Sequence, residues 1–430
     1  TAKAISLAHQ AIEILENGFP TRERALAYSN LSQLYMLCED RDNTLLWGNK
    51  AIDLATRMED HEIVSHALNN VGNTLLQVPS SENQGEQKLN QSLSIALEKG
   101  FHEHAARAYV NLGSSFVLIK RYEKAMAAFD AGFKYCDERD LDFLKFYMLG
   151  YKAQLLLETG HWDEAEIIAK RLQLNQHHLL VKLVAVLTLS RLAIRQGKFE
   201  DARILIEEAK VMAMPTHEAQ RIIPVLTAAL ELAWISGDPI PLDEIRKAES
   251  TLFYDKNYSW HYSMLAYWMN KCGVNEADTN VEFNGPFKFE RDGDWKTAAE
   301  QWEKIGSPYE QALAMINGDE EHQKQALLML HEMDASATYE MLKSKLRLQG
   351  VKNIPRGPRE STRSNPAQLT NRQIDVLNLL KEGLQNTEIA DKLFISSKTV
   401  DHHISSILSK LEVNTRQKAV SEARRLGILN

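Results

Sequence analysis

Residues 108–129 read AYVNLGSSFVLIKRYEKAMAAF, and much of the chain repeats their pattern. A small residue precedes an Asn-aliphatic pair: Ala27 before Asn30-Leu31, Ala67 before Asn70-Val71, Ala108 before Asn111-Leu112. The pairs recur at intervals of 40 and 41 residues. A turn follows, then an aromatic and an alanine: Arg121-Tyr122 with Ala125, Gly160-His161-Trp162 with Ala165, Gly197-Lys198-Phe199 with Ala202. The turn recurs at Gly237-Asp238 and at Gly293-Asp294-Trp295 with Ala298. One helical hairpin per repeat accounts for all of this. Gly ends the first helix, because a left-handed C-cap favours a residue without Cβ. The aromatic then anchors the start of the second helix, and the alanine lets helices approach. Alternating β-patterns are almost absent. A single hairpin cannot bury its apolar face, so neighbours stack into a solenoid.

Ala108, Leu112-Gly113, Tyr122, Ala125 and Phe129 resemble a tetratricopeptide repeat at the family spacing. The longer period predicts a tetratricopeptide-like array with lengthened helices. Six or seven hairpins are expected over residues 1–345, within a repeat domain spanning 1–350. The resemblance implies a concave surface for a partner or effector. Between Gly237 and Gly293 the sequence is rich in aromatics, including Tyr254, Tyr258, Trp260, Tyr262 and Trp268. These residues define a candidate effector site, since polar-tipped aromatics make rigid contact surfaces. Near-helical spacing equally allows them to be core.

Residues 351–368 carry Pro355, Gly357, Pro358 and Pro366 and read as a linker. Lys352, Arg356, Arg359 and Arg363 make it basic, either as a phosphate-touching arm or as a solvated tether.

From 369 to 430 the local signals describe four short helices. Thr370 and Gln373 fit a capping box. Ile374, Val376, Leu377 and Leu380 form an apolar stripe, and Gly383 stops the helix. Asn386 is placed to cap a second helix, Thr387 to Leu393, and Ser396 a third running to about Leu411. A further cap signal at 414–417 starts a last helix reaching about Leu426. At about 100° per residue, Val400, Ile404, Ile407 and Leu411 share one face of the third helix. Lys398, His402, Ser405 and Ser409 lie opposite; Thr399, His403, Ser406 and Lys410 flank them. Small polar side chains on such a face allow close approach to base edges in a major groove.

Leu369-Thr370, Arg372, Val376-Leu377, Gly383-Leu384, Asn386, Glu388-Ile389-Ala390, Ile395-Ser396, Thr399-Val400, His403, Ile407-Leu408, Lys410-Leu411, Val413, Arg416 and Ala419-Val420 together resemble a LuxR-type helix-turn-helix domain. Two departures stand out. Arg372-Gln373-Ile374-Asp375 replaces a frequent Arg-Glu-x-Glu, and Asp401 stands where the family often has Lys. Further upstream, Gly293-Asp294-Trp295, Gly306 to Glu310, Asn317 to Glu320 and Pro355 to Arg359 are similar to the segment preceding that domain in the large ATP-binding LuxR-type regulators. Their MalT-like layout is nucleotide-binding module, helical-repeat sensor, helix-turn-helix. The resemblance implies that this chain is sensor plus reader. The first residue is Thr1, and no phosphate-binding Gly-x-x-x-x-Gly-Lys-Ser/Thr loop occurs; an ATPase module, if there is one, is expected upstream.

The resemblance also implies roles. The third helix enters the major groove of double-stranded DNA. His402 and Ser405 are assigned to base edges, with Ser406 beside them. Lys398, Thr399, His403, Lys410 and Arg416 are assigned to phosphates. Asp401 either accepts from cytosine N4 or opposes the positive helix N-terminus. The last helix is the expected homodimer surface on DNA.

Overall charge first argues against nucleic acid: 430 residues carry 50 Lys+Arg and 58 Asp+Glu, net −8. The charge is unevenly distributed. Residues 351–430 hold 13 basic and 8 acidic residues, net +5, leaving −13 for the rest. An acidic body with a basic reader is the resulting picture. Three scattered cysteines, Cys38, Cys136 and Cys272, fit a reducing cytoplasm. No run approaches the ~18 apolar residues of a membrane span. The histidine pairs His102/His104, His177/His178 and His402/His403 have no further ligands at metal-site spacing, so no metal, cofactor or catalytic residue is expected. The fold class expected is all-α, and the function a bacterial transcriptional regulator sensing an effector or partner. The competing class is an interaction scaffold whose C-terminal domain serves for dimerisation.

Overall fold

The computed structural model describes residues 2–174, 179–251, 260–274, 283–355, 367, 369–393 and 395–429. Among them are 23 α-helices and no strand. The chain divides into two compact units, Thr1–Ile354 and Pro355–Asn430.

The first unit begins with α1 (Ala2–Glu16). Six helical hairpins follow: α2/α3 (Arg22–Leu37, Arg41–Arg57), α4/α5 (His61–Leu76, Glu82–Lys99), α6/α7 (His102–Leu118, Tyr122–Asp137), α8/α9 (Asp142–Glu158, Trp162–Gln173), α10/α11 (Leu179–Arg195, Phe199–Ala213) and α12/α13 (Ala219–Ser236, Leu242–Thr251). Shorter helices continue as α14 (Trp260–Lys271), α15 (Pro286–Arg291), α16 (Trp295–Ile305), α17 (Pro308–Met315), α18 (Glu320–Glu332) and α19 (Ser336–Leu348). Six regular hairpins and three shorter helix pairs fill the segment for which six or seven hairpins are expected, because the helices after Thr251 are shorter and fit more pairs into the same length.

The repeat signature has local causes. Tyr122, Trp162, Phe199 and Trp295 each open a helix. Trp162 is buried and donates Nε1–H to the Leu157 carbonyl at 2.9 Å, locking the turn. Gly160 and Gly197 have φ of +86° and +77°, a region costly to any residue with a Cβ. At Gly113 the requirement is proximity instead: a Cβ there would overlap the Phe129 ring. Ala108, Ala125 and Phe129 are fully buried beside it.

The recurrent asparagines form a ladder between equivalent helices. Asn70 of α4 donates Nδ2–H to the Ser29 carbonyl of α2 at 3.0 Å. Asn111 of α6 donates to the Asn69 side chain of α4. Ser115 of α6 donates to Asn73 Oδ1 at 2.6 Å. Asn30, ahead of the ladder, is exposed. A buried amide needs a partner, and the neighbouring repeat supplies it one period away.

The array is not an open concave strip. The end of α2 meets the starts of α12 and α14: Gln220 Nε2–H donates to the Leu37 carbonyl at 3.2 Å, and His261 Nδ1 lies 2.5 Å from Glu39 Oε1. A second closure brings α17 onto the middle repeats. Tyr122 Oη lies 2.9 Å from Ser307 Oγ, and Arg195 Nη2–H donates to Glu310 Oε1 at 3.1 Å. Arg195 also pairs with Glu231 at 2.9 Å, both side chains 2% exposed or less. Lys120 and Glu158 form a second buried pair at 2.7 Å. Stacking alone brings only successive repeats together, as in Arg195–Glu231 and Lys120–Glu158; the contacts of Gln220, His261, Ser307 and Glu310 join residues 115 to 222 positions apart.

The second unit holds α20 (Asn371–Lys381), α21 (Asn386–Leu393), α22 (Ser397–Lys410) and α23 (Arg416–Arg425) around its own core. No helix among the described residues is long and apolar enough to cross a membrane.

Candidate nucleic-acid interface

The helix starts of the second unit are set by side-chain caps. Thr370 and Gln373 form a full capping box on α20. Gly383, φ +84°, terminates it. Ser396 Oγ accepts from Thr399 N at 3.1 Å and starts α22. Thr415 Oγ1 accepts from Lys418 N at 3.2 Å and starts α23. One expected cap differs. Asn386 is the first residue inside α21, and the start is marked instead by Glu388, whose Oε2 accepts from Gln385 N at 2.7 Å. The Asn386 side chain donates Nδ2–H to Asp401 Oδ1 at 2.8 Å.

The angular division of α22 is present in three dimensions. Val400, Ile404, Ile407 and Leu411 are buried against Val376, Leu377, Ile389 and Ala390. Lys398, Thr399, Asp401, His402, Ser405, Ser409 and Lys410 are exposed, while His403 and Ser406 are half-buried. Arg416 is exposed at the start of α23.

Internal contacts then distinguish among the residues of that surface. Gln373 Nε2–H donates to Ser406 Oγ at 2.8 Å, and Lys410 Nζ donates to Gln373 Oε1 at 3.1 Å. Gln373 thus ties the first helix to two residues of α22. Arg372 donates to the Leu393 carbonyl, holding the C-terminus of α21. Burial, together with Arg372 and His402 nearby, lowers the His403 imidazole from its usual range. Sequence reasoning did not single out Gln373 or Asn386 as tertiary links. Their helix-cap signals were visible, but their partners lie 33 and 15 residues away.

In the first unit, Trp260, Tyr262 and Trp268 are buried on α14. Trp268 packs on Trp234 with ring centroids 5.7 Å apart. Tyr254 and Tyr258 lie outside the described residues, as do Arg356, Arg359 and Arg363 of the linker and His177/His178. The α14 residues that face the interior cavity of the repeats are His261 and Met264. Among the described residues, no cluster of three or more His, Cys, Asp or Glu could hold a metal ion.

Four short helices, with a capped third helix presenting a polar and basic face, define a helix-turn-helix unit. Residues 367–423 match the family described as "Bacterial regulatory proteins, luxR family", so the C-terminal domain is a LuxR-family helix-turn-helix. Similar proteins include the "Transcriptional regulatory protein LiaR" of Bacillus subtilis (strain 168), 47% identical over 62 residues, 14% of this chain and 29% of that protein. The "Transcriptional regulatory protein DegU" of Brevibacillus brevis is 46% identical over 59 residues, 14% and 25% of the two chains. The "HTH-type transcriptional regulator AlkS" of Alcanivorax borkumensis is 44% identical over 61 residues, 14% and 7%. The chain therefore spans less than a third of the length of each of these relatives.

Proposed function

We propose that the chain is part of a bacterial transcriptional regulator that binds double-stranded DNA through α22 and senses an effector or partner through its helical repeats. The observation that carries the reading is the division of α22. Its apolar face is buried in a domain locked by caps, and its opposite face exposes Lys398, His402, Ser405 and Ser409. The similarity of residues 367–423 to transcriptional regulators supports it.

In this reading α22 lies in the major groove, with His402 and Ser405 at base edges. Lys398, Thr399, His403 and Arg416 meet phosphates, which position the domain without reading sequence. Lys410 and Ser406 border the groove and are oriented by Gln373. Asp401 holds α21 against α22 through Asn386. The last helix, α23, pairs two domains so that each reads a half-site. The regulator acts in the cytoplasm, where DNA is and where Cys38, Cys136 and Cys272, all free thiols, stay reduced. The MalT-like order of helical-repeat sensor followed by helix-turn-helix belongs to the same proposal.

A gel-shift with random genomic fragments at low and moderate salt tests the DNA role. Specific retention that weakens with salt is the expected result. No retention, alongside stable capture of a partner protein by the repeats, would replace the regulator with a scaffold.

A further inference from the structure

The inner helices α2, α4, α6, α8, α10, α12 and α14 enclose a cavity of about 380 Å³. That lies within the range of small-molecule sites. One part of its wall is apolar, with Tyr147, Leu183, Val184 and Leu187; another carries the amides of Asn111 and Gln154.

Three arginines also line it: Arg221 from α12, which is paired with Glu218, and Arg107 from α6 and Arg191 from α10. Arg191 is 8% exposed. Its Nη2–H donates to Thr227 Oγ1 at 2.8 Å, while its buried Nε has no hydrogen-bond partner. Arg107 donates Nη2–H to Asn70 Oδ1 at 2.5 Å, and its buried Nη1 has no partner. Burial brings the Arg107 guanidinium down to about 10. Among the described residues, no carboxylate lies in ion-pair range of either. The acid on the cavity wall, Glu39, is engaged by His261.

The same unit neutralises its other buried cations. One turn along α10 from Arg191, Arg195 has Glu231 and Glu310. Lys120 has Glu158. A buried guanidinium without an anion is costly, and a function that uses the charge explains its retention.

We infer that this cavity binds a small amphiphilic anion, its carboxylate or phosphate held by Arg107 and Arg191 and its apolar body against Tyr147, Leu183 and Leu187. The guanidinium fork suits either headgroup through paired charge-assisted hydrogen bonds. The inference rests on the sensing role proposed for the repeats and names the chemistry of what is sensed.

The test is thermal unfolding of the full chain with millimolar octanoate, octyl phosphate or octanol, followed by gel-shift of the same samples. At least one anion raises Tm, octanol does not, and the better anion identifies the headgroup. Arg191→Met and Arg107→Met each weaken anion binding at least tenfold without lowering the ligand-free Tm, since Met fills the space without an unpaired charge. Should a Met variant fail to fold, Arg191→Gln and Arg107→Gln provide the same comparison. Equal stabilisation by octanol, no response to either anion, or a ligand-free Tm lowered in every foldable Arg191 and Arg107 variant overturns the site. Anion binding that leaves DNA retention unchanged supports the site and removes its sensing role. DNA retention without anion binding removes the site and leaves the DNA-binding role intact.

Discussion

Asn386, the first residue of α21, donates its side-chain amide to Asp401 Oδ1, in the second turn of α22, at 2.8 Å. This bond joins the two helices of the helix-turn-helix near their N-termini. It also accounts for an acid where LuxR-type domains often carry Lys: the carboxylate is employed within the domain. Asp401→Ala is therefore expected to cost about 1 kcal/mol of domain stability. Asp401→Lys should increase affinity for all sequences alike and steepen the salt dependence by about one phosphate. Chemical denaturation and gel-shift at several salt concentrations measure the two effects.

DNA affinity should fall steeply with salt. With Lys398 and Arg416 each neutralising one phosphate, log K is expected to decline against log salt with a slope of roughly −2 per domain. Arg416→Ala should weaken every sequence alike and flatten that slope by about one, whereas His402→Ala should change which sequences are preferred. Fluorescence anisotropy with specific and scrambled duplexes separates the two.

The repeat unit should lose stability in mild acid. His66 is buried, with Nδ1 2.6 Å from Ser29 Oγ and Nε2 3.1 Å from Gln33 Oε1. Burial, with Arg107 and His104 adding to it, pushes the imidazole down to about 2. The unfolded chain takes up this proton near pH 6.5 and the folded chain does not. Stability thus falls by about 1.4 kcal/mol per pH unit as pH drops below 6.5. His66→Gln should remove about one proton's worth of that slope in denaturation curves recorded between pH 7 and 5.

The buried pair Arg195–Glu231 should matter far more than the half-buried pair Arg203–Asp238. Arg195→Leu leaves Glu231 and Glu310 without their cation, a loss of about 3–5 kcal/mol. Arg203→Ala removes a two-pronged contact at 2.8 and 2.9 Å that water partly screens and should lower Tm far less. Thermal unfolding of the two variants makes the comparison.

Gly113→Ala should destabilise by about 1–3 kcal/mol through overpacking against Phe129. Gly100→Ala meets no neighbouring atom, so its cost comes only from its left-handed backbone, φ +74°. Denaturation midpoints of the pair separate crowding from backbone strain.

Local and periodic features were legible in the sequence, because each depends on residues a few positions apart or one repeat apart. Tyr122, Trp162 and Phe199 mark helix starts through turn chemistry. Thr370 and Ser396 mark caps, and the 100° rotation of α22 divides Val400, Ile404 and Ile407 from Lys398, His402 and Ser405. What the tertiary structure alone decided depends on long-range closure. It buried Trp260, Tyr262 and Trp268, brought Glu39 to His261 and Ser307 to Tyr122, and engaged Asp401, Ser406 and Lys410 inside their domain. It also left Arg107 and Arg191 lining one cavity with no carboxylate in ion-pair range among the described residues. Whether a buried charge has a partner depends on which distant helices meet around it, and no spacing along the chain encodes that.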